Sequence, residues 1–263
     1  MIDSENFTIE YQDQLKQVTW YGTSFFDGDP FNSFLKEDVS SRLFDKEGKE
    51  DFESFLHGLA STGFAEDNLN EILNAVINEE REWAIGESIA EAYLKEKHGI
   101  FWPWNMERDK RNPKASLPGA DLVGFEINST EIRLVLGEVK TSSEDNAPPG
   151  AMKGRGGMIH QIDELANNLG KIHKLLEWLY HRCKGTNYEN YYKIAVTKFL
   201  DSGNKAISLF GILIRDTKPN HKDLKNRGKD LSVKLNDPTS CLLIAIYLPC
   251  SISDLYNRIS GGQ

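Results

Sequence analysis

Residues 132–142 read IRLVLGEVKTS, and this stretch decides the fold. Its first half is a β-strand pattern of β-branched and leucyl residues, bounded downstream by a Ser/Pro/Gly-rich loop. Its second half places Glu138 and Lys140 two residues apart, on one face, where strand alternation should still supply apolar side chains. Upstream, ADLVGFEI (120–127) is a second strand, separated from the first by Asn128, Ser129, Thr130 and Glu131. A two-residue turn at Ser129–Thr130, assisted by Asn128, closes the two strands into an antiparallel hairpin. Ile127 then faces Ile132, Phe125 faces Leu134 and Val123 faces Leu136, which makes one face apolar over three consecutive pairs. On the other face Glu126 opposes Arg133, a favourable charge pair that supports the same register.

Extending the register along the apolar face brings Asp121 opposite Glu138, with Lys140 next on that face opposite Gly119. Carboxylates facing each other on adjacent strands repel unless a cation lies between them or a proton is shared. Mg²⁺ takes hard oxygen ligands in an octahedron and is commonly held by one or two carboxylates with water and substrate phosphate. Asp121, Glu138 and the backbone carbonyl of Val139 form such a set. Lys140 is placed to orient an attacking water or to neutralise charge on a phosphate. The same residues also fit a solvated sheet end carrying an ordinary surface ion pair.

Acid-x-Lys triplets also occur at Glu47–Lys49, Asp216–Lys218 and Asp223–Lys225. The first and last lie in polar, turn-like sequence. The second, Asp216–Lys218, ends a strand pattern, but its preceding acid, Asp201, falls in the turn DSGNK. Only Glu138–Lys140 has an acid at the matching position of a paired strand.

Around the hairpin, apolar periodicity predicts a helix from about Ala65 and another from about Glu80 to Lys97, stopping at Gly99. Glu87 lies on the border of the second helix's apolar stripe, which is where a solvated acid also sits. A long helix is expected over Met158–Arg182, with His160 and Gln161 as first-turn polar residues. AISLFGILIRD (206–216) and CLLIAIYL (241–248) read as core elements, YYKIAVTKFL (191–200) as a core element of either type, and SISDLYNRI as a short last helix. KPNHKDLKNRGK (218–229) reads as a solvated loop. The order of elements predicts a single α/β domain with a mixed β-sheet flanked by helices, covering residues 79–263. Residues 1–78, rich in aromatics (Tyr11, Trp20, Tyr21, Phe25, Phe26, Phe31, Phe34), are expected to be an accessory region, its aromatics serving either as core or as a partner-docking surface.

A chain of 263 residues with 39% hydrophobic residues buries one sizeable core. The longest apolar run is too short to span a bilayer, and the acidic start MIDSENFTIE is unlike a secretory signal. The three cysteines, Cys183, Cys241 and Cys250, have neither zinc-site nor disulfide-framework spacing, which predicts reduced thiols in the cytoplasm. The net charge of −9 opposes unaided nucleic-acid binding. Two basic clusters nevertheless flank the hairpin end: Arg108, Lys110, Arg111 and Lys114 before Asp121, and Lys153 and Arg155 after Lys140. Both are candidates for DNA phosphate contacts.

The residues PGADLVGFE…LGEVK, with Glu87 in a preceding helix, resemble the core of the PD-(D/E)xK nucleases, the restriction-endonuclease-like superfamily. That core takes an acid from a helix, an Asp from its first strand and Glu-x-Lys from the next, which maps onto Glu87, Asp121, Glu138 and Lys140. The departure is that Gly119 and Ala120 separate Pro118 from Asp121. More narrowly, WAIGESIAEAYL, GADLVGFE and LGEVKTS resemble the HamA family, nuclease subunits of the Hachiman antiphage defence system, over about residues 80–180. The resemblance implies a restriction-endonuclease-like fold and a Mg²⁺-dependent DNase, with Mn²⁺ able to substitute. It also implies that Glu87 is a further metal ligand or water-orienting acid, and that DNA and a superfamily 2 helicase subunit (HamB-like) are the partners. An inactive nuclease-like binding module and a repair or recombination nuclease are the competing readings.

Overall fold

The computed structural model describes residues 7–74, 84–109, 119–129 and 131–261. Seven strands form one mixed sheet: β1 (Phe7–Leu15), β2 (Val18–Phe25), β3 (Ile100–Phe101), β4 (Leu122–Ile127), β5 (Ile132–Ser142), β6 (Ile207–Arg215) and β7 (Ser240–Tyr247), in the spatial order β1-β2-β7-β6-β5-β4-β3. The inner strands β2, β7, β6 and β5 are mutually parallel, and the two ends are antiparallel additions. All nine residues of β6 are buried. Parallel strands covered on both faces read as continuous apolar runs, which explains the compositions of β6 and β7.

The helices are α1 (Asp29–Phe34), α2 (Ser40–Leu43), α3 (Lys46–Leu59), α4 (Gly63–Asn74), α5 (Ile85–His98), α6 (Met158–Asn167), α7 (Leu169–Cys183), α8 (Glu189–Asp201), α9 (Lys225–Lys234) and α10 (Leu255–Ser260). Helices α1, α2, α5 and α10 pack on one sheet face with Leu122, Val135 and Val139. Helices α6 to α9 cover the other with Val123, Phe125, Leu134 and Leu136. The protein is therefore α/β, a mixed sheet flanked by helices.

The hairpin has the expected register. Ile127 pairs with Ile132, Phe125 with Leu134, Val123 with Leu136 and Glu126 with Arg133. Asn128 assists the turn, its Oδ1 accepting from Glu131 N at 2.9 Å. The charges flanking the turn engage other partners as well. Glu126 Oε2 accepts from Ser208 Oγ, and Arg133 reaches Glu131 and the carbonyls of Ile207 and Pro238.

Several elements differ from expectation. YYKIAVTKFL lies within α8, because its buried residues, Ala195 and Phe199, follow helical spacing. The basic stretch 218–229 is no solvated loop. It leads into α9, with Leu224 and Leu231 fully buried and Gly228 pressed so close to the Trp20 ring that a Cβ would clash at 2.2 Å. The helix expected over Met158–Arg182 is two helices broken at Asn168, whose extended ψ of 92° ends α6. The same Asn168 caps α7, its Oδ1 accepting from Lys171 N at 3.1 Å.

Residues 7–25 belong to the main sheet, since β2 pairs with β7. Trp20, Tyr21, Phe25, Phe31 and Phe34 are buried core residues, because β2 is an inner strand and α1 packs over it. Exposed apolar side chains lie on α3 and α4 instead: Phe52, Phe55, Leu59, Phe64 and Ile72. The expected 78/79 boundary and the start of the helix at Glu80 lie outside the described residues. No helix among the described residues is long and apolar enough to cross a membrane. Cys183, Cys241 and Cys250 are free thiols, and burial raises the pKa of all three.

Candidate active site

Strand alternation sends Glu138 and Lys140 of β5 toward α6 and α7, and sends Val139 and Thr141 toward α5. Asp121 precedes β4 and is tied to β5 twice. Its amide donates to Gly137 O at 3.0 Å, and its Oδ2 accepts from Val139 N at 2.8 Å. These two bonds extend the ladder past Leu122 and hold the Asp121 carboxylate against Glu138.

Glu138 is 2% exposed. Beside it in the ladder is Gly211, where a Cβ would come within 2.8 Å of Met158 Sδ and 2.7 Å of Ile162 Cδ1. Helix α6 thus presses on the sheet next to Glu138 and removes water from it. Burial first, then the charge of Asp121, pushes the Glu138 carboxyl up to about 8, against the opposing pull of Lys140 and Lys171. A hydrogen bond between Glu138 and Asp121 adds to the rise. A proton held on Glu138 relieves its repulsion with the half-buried Asp121 when no cation is present.

Two ammonium groups complete the cluster. Lys140 Nζ lies 3.5 Å from Glu138 Oε2, and Lys171 Nζ lies 3.9 Å from Oε1. Lys171 was not a sequence candidate, because on an uninterrupted helix it looks like one more solvated lysine. The signal was Asn168-Leu-Gly-Lys: an Asn cap restarts the helix, and Lys171 then shares a face with Leu175 four residues on.

Glu87 is half-buried in the first turn of α5. Its neighbour Gly86 abuts Thr141, where a Cβ would meet Oγ1 at 2.3 Å. Glu87 therefore reaches this end of β5 from the opposite layer of the sheet. Among the described residues no group of three or more His, Cys, Asp or Glu could hold a metal ion. The structure brings together Asp121, Glu138 and Lys140 and does not bring Glu87 into such a group with them.

The flanking basic residues divide three ways. Arg108 is engaged by Asp45 at 2.7 Å and Glu47 at 3.2 Å and lies over the Trp104 ring. Lys153 and Arg155 are exposed in the loop after β5. Lys110, Arg111 and Lys114, like Pro118, lie outside the described residues. On α6, His160 is exposed, while Gln161 Oε1 is buried with no hydrogen-bond partner among the described residues.

The competing triplets have structural roles. Asp216 Oδ2 accepts from Ser143 Oγ at 2.8 Å and Ile252 N at 2.9 Å, joining two loops. Asp223 is fully buried, accepts from Tyr247 Oη at 2.8 Å and stands 3.7 Å from Arg215. Arg215 in turn donates to the carbonyls of Glu144 and Asn146, fixing the loop that leaves β5. A cleft of about 580 Å³ opens there, lined in part by Ser143, Arg215 and Lys218. It lies beyond the carboxyl ends of β5 and β6, where open α/β sheets bind ligands.

No protein-family model and no curated protein matches the chain.

Proposed function

We propose that the protein is a divalent-metal-dependent deoxyribonuclease of the restriction-endonuclease-like superfamily. It hydrolyses DNA phosphodiester bonds with little sequence specificity. The observation that carries this reading is the buried Glu138 carboxyl beside the half-buried Asp121 carboxylate, which Val139 N–H holds at 2.8 Å, with Lys140 at 3.5 Å.

The pair fits Mg²⁺. Two hard oxygen donors side by side, the Glu138 carboxyl raised first by burial and then by the charge of Asp121, are relieved when a cation replaces the proton on Glu138. Asp121, Glu138 and the Val139 carbonyl would hold the ion. Bound there, it supplies Lewis-acid stabilisation of charge developing on the phosphate.

The chain's own groups do the rest. Val139 N–H fixes the Asp121 carboxylate beside Glu138. Lys140, with its side chain 19% exposed, keeps its ammonium at the rim, where it orients a water for attack on phosphorus. Helix α6 keeps bulk water from the Glu138 side.

The HamA resemblance and the charge of −9 together support an effector of a bacterial antiphage defence complex, cytoplasmic and controlled by a superfamily 2 helicase. An acidic nuclease that borrows DNA affinity from a helicase makes few stray cuts. Lys153 and Arg155 then contact phosphate locally, and the apolar side chains of α3 and α4 are available for docking the helicase.

The test is cleavage of plasmid and linear duplex DNA with Mg²⁺, with and without the helicase, comparing wild type with Glu138→Ala/Lys140→Ala. Cleavage lost in the double variant, with folding and helicase binding kept, is the expected result. Equal behaviour of the two proteins would reduce the site to an ion pair and the protein to a binding module.

A further inference from the structure

The cleft beyond the ends of β5 and β6 carries two unpartnered polar atoms of opposite kind. One wall is the loop after β5, with Ser143, Asp145 and Ala147; the other is the segment after β6, with Asp216, Thr217 and Lys218. Two side chains tie these walls together. Arg215 Nη2 donates to the carbonyls of Glu144 at 2.7 Å and Asn146 at 3.2 Å, while its Nε donates to Thr217 Oγ1 at 3.2 Å. Asp216 Oδ2 accepts from Ser143 Oγ at 2.8 Å. Each tie uses part of its group and leaves one atom over. Arg215 Nη1, a donor, and Asp216 Oδ1, an acceptor, are buried with no hydrogen-bond partner among the described residues.

A buried donor or acceptor without a partner has given up its hydration and gained nothing in exchange. Arg215 is the extreme case, at 1% exposure. The other unpartnered guanidinium nitrogens, Nε of Arg133, Arg182 and Arg227, carry one hydrogen each, on side chains 13%, 24% and 24% exposed. Nη1 of Arg215 carries two. Asp223, 3.7 Å from Arg215 Nε, already balances the charge of the guanidinium. What Arg215 lacks is an acceptor, and what Asp216 lacks is a donor.

A ligand that completes the cleft therefore offers both an oxygen and a hydroxyl. Sulfate has the oxygens but no hydroxyl, and it meets the Asp216 carboxylate as a like charge. A phosphate that keeps one proton has both, oxygens for Arg215 and a P–OH for Asp216. The exposed Lys218 adds a cation at the rim, opposed there by the exposed Asp145, so the cleft favours a ligand of low net charge. Its volume of about 580 Å³ suits a phosphorylated molecule of nucleotide size rather than a bare ion. We infer that this cleft binds a phosphate monoester in its singly protonated form, with Arg215 Nη1 donating to it, Asp216 Oδ1 accepting from its P–OH and Lys218 at the rim. A free mononucleotide and the terminal phosphate of a DNA strand present this same group. The site is separate from Asp121 and Glu138 and does not depend on the hydrolase reading.

The experiment is calorimetric titration of the full-length protein in EDTA at pH 6, where a monoester, with a second pKa of about 6, is half protonated. The probes are inorganic phosphate, sulfate and thymidine 5′-monophosphate. Wild type is expected to bind phosphate and the nucleotide roughly 10–100-fold more tightly than sulfate. Asp216→Asn keeps an oxygen for Ser143 Oγ and the Ile252 amide but presents an NH₂ in place of Oδ1, and it is expected to abolish the preference. Lys218→Met is expected to weaken phosphate and sulfate alike by about 2–5-fold, and it serves with the wild-type preference if Asp216→Asn does not fold. Glu138→Ala/Lys140→Ala is expected to keep the wild-type phosphate affinity. An oligodeoxynucleotide with a 5′-phosphate, set against its 5′-hydroxyl form, separates the sources: tighter binding of the phosphorylated strand assigns a DNA end, and equal binding of the two assigns a free nucleotide. The inference is overturned if wild type binds no phosphate, or binds sulfate equally well. It is also overturned if the preference survives Asp216→Asn, if Lys218→Met changes nothing, or if Glu138→Ala/Lys140→Ala loses phosphate. None of these results bears on DNA cleavage, so the hydrolase reading is tested apart from it.

Discussion

Replacing Glu138 by Gln removes a buried ionisable group with almost no change of shape. The Glu138 carboxyl is pushed up from its ordinary 4.5 to about 8, chiefly by burial and then by the charge of Asp121. In the unfolded chain the same group loses its proton in the ordinary carboxylate range. Between these two values the folded state keeps a proton that the unfolded state has released, so stability falls as pH rises. The slope for one such group is about 1.4 kcal/mol per pH unit. The penalty is absent below the ordinary carboxylate range, grows through neutral pH and levels off above about pH 8. Between pH 6 and pH 8 wild type is therefore expected to lose roughly 2–3 kcal/mol relative to Glu138→Gln, about 5–10 °C in unfolding midpoint for a chain of this size. The assay is thermal unfolding by circular dichroism in EDTA from pH 5 to pH 9, plotted as the difference between the two proteins. Other raised acids, such as Asp223, are present in both and cancel. A flat difference, or a Gln variant that loses stability at pH 8 relative to wild type, would refute the raised, buried Glu138 carboxyl.

Mg²⁺ binding at pH 7 is expected to release nearly one proton per ion, since Glu138 must ionise to become a ligand. Calorimetry in two buffers of different ionisation heat measures this, and Asp121→Asn is expected to abolish the buffer dependence. Asp223→Ala strands the guanidinium of Arg215, itself 1% exposed, and is expected to cost about 3–5 kcal/mol in urea unfolding. Gly119→Ala places a Cβ against Leu175 at a φ of +133° and is expected to destabilise by about 1–3 kcal/mol, with DNA cleavage falling as α7 is displaced.

The hairpin was legible because its information is local. Alternation and one opposed charge pair specify the β4–β5 register, and a single-residue slip would have turned every apolar side chain outward. The convergence of Asp121, Glu138 and Lys140 followed from that register. What stayed hidden depends on distant contacts or on local signals masked by a stronger one. Asn168 breaks the helix, yet Leu165, Leu169 and Ile172 continue the apolar period across the break, and this concealed both the break and Lys171. The charge density of 218–229 outweighed Leu224 and Leu231, whose burial depends on β2 lying in the sheet beneath them. Pairing of β2 with β7, near the opposite end of the chain, has no local signature at all. Glu87 shares an end of β5 with the site but occupies the other layer, a distinction that one-dimensional motif spacing does not carry.

Asp121 and Glu138 are proposed to form a cation site together. Crystals soaked in Mn²⁺, with an anomalous difference map computed at the Mn absorption edge, test it most directly. One peak is expected between the two carboxylates, with the Val139 carbonyl among its ligands, that vanishes in Asp121→Asn. A well-ordered site with no peak there, or with Mn²⁺ bound only elsewhere, would contradict it.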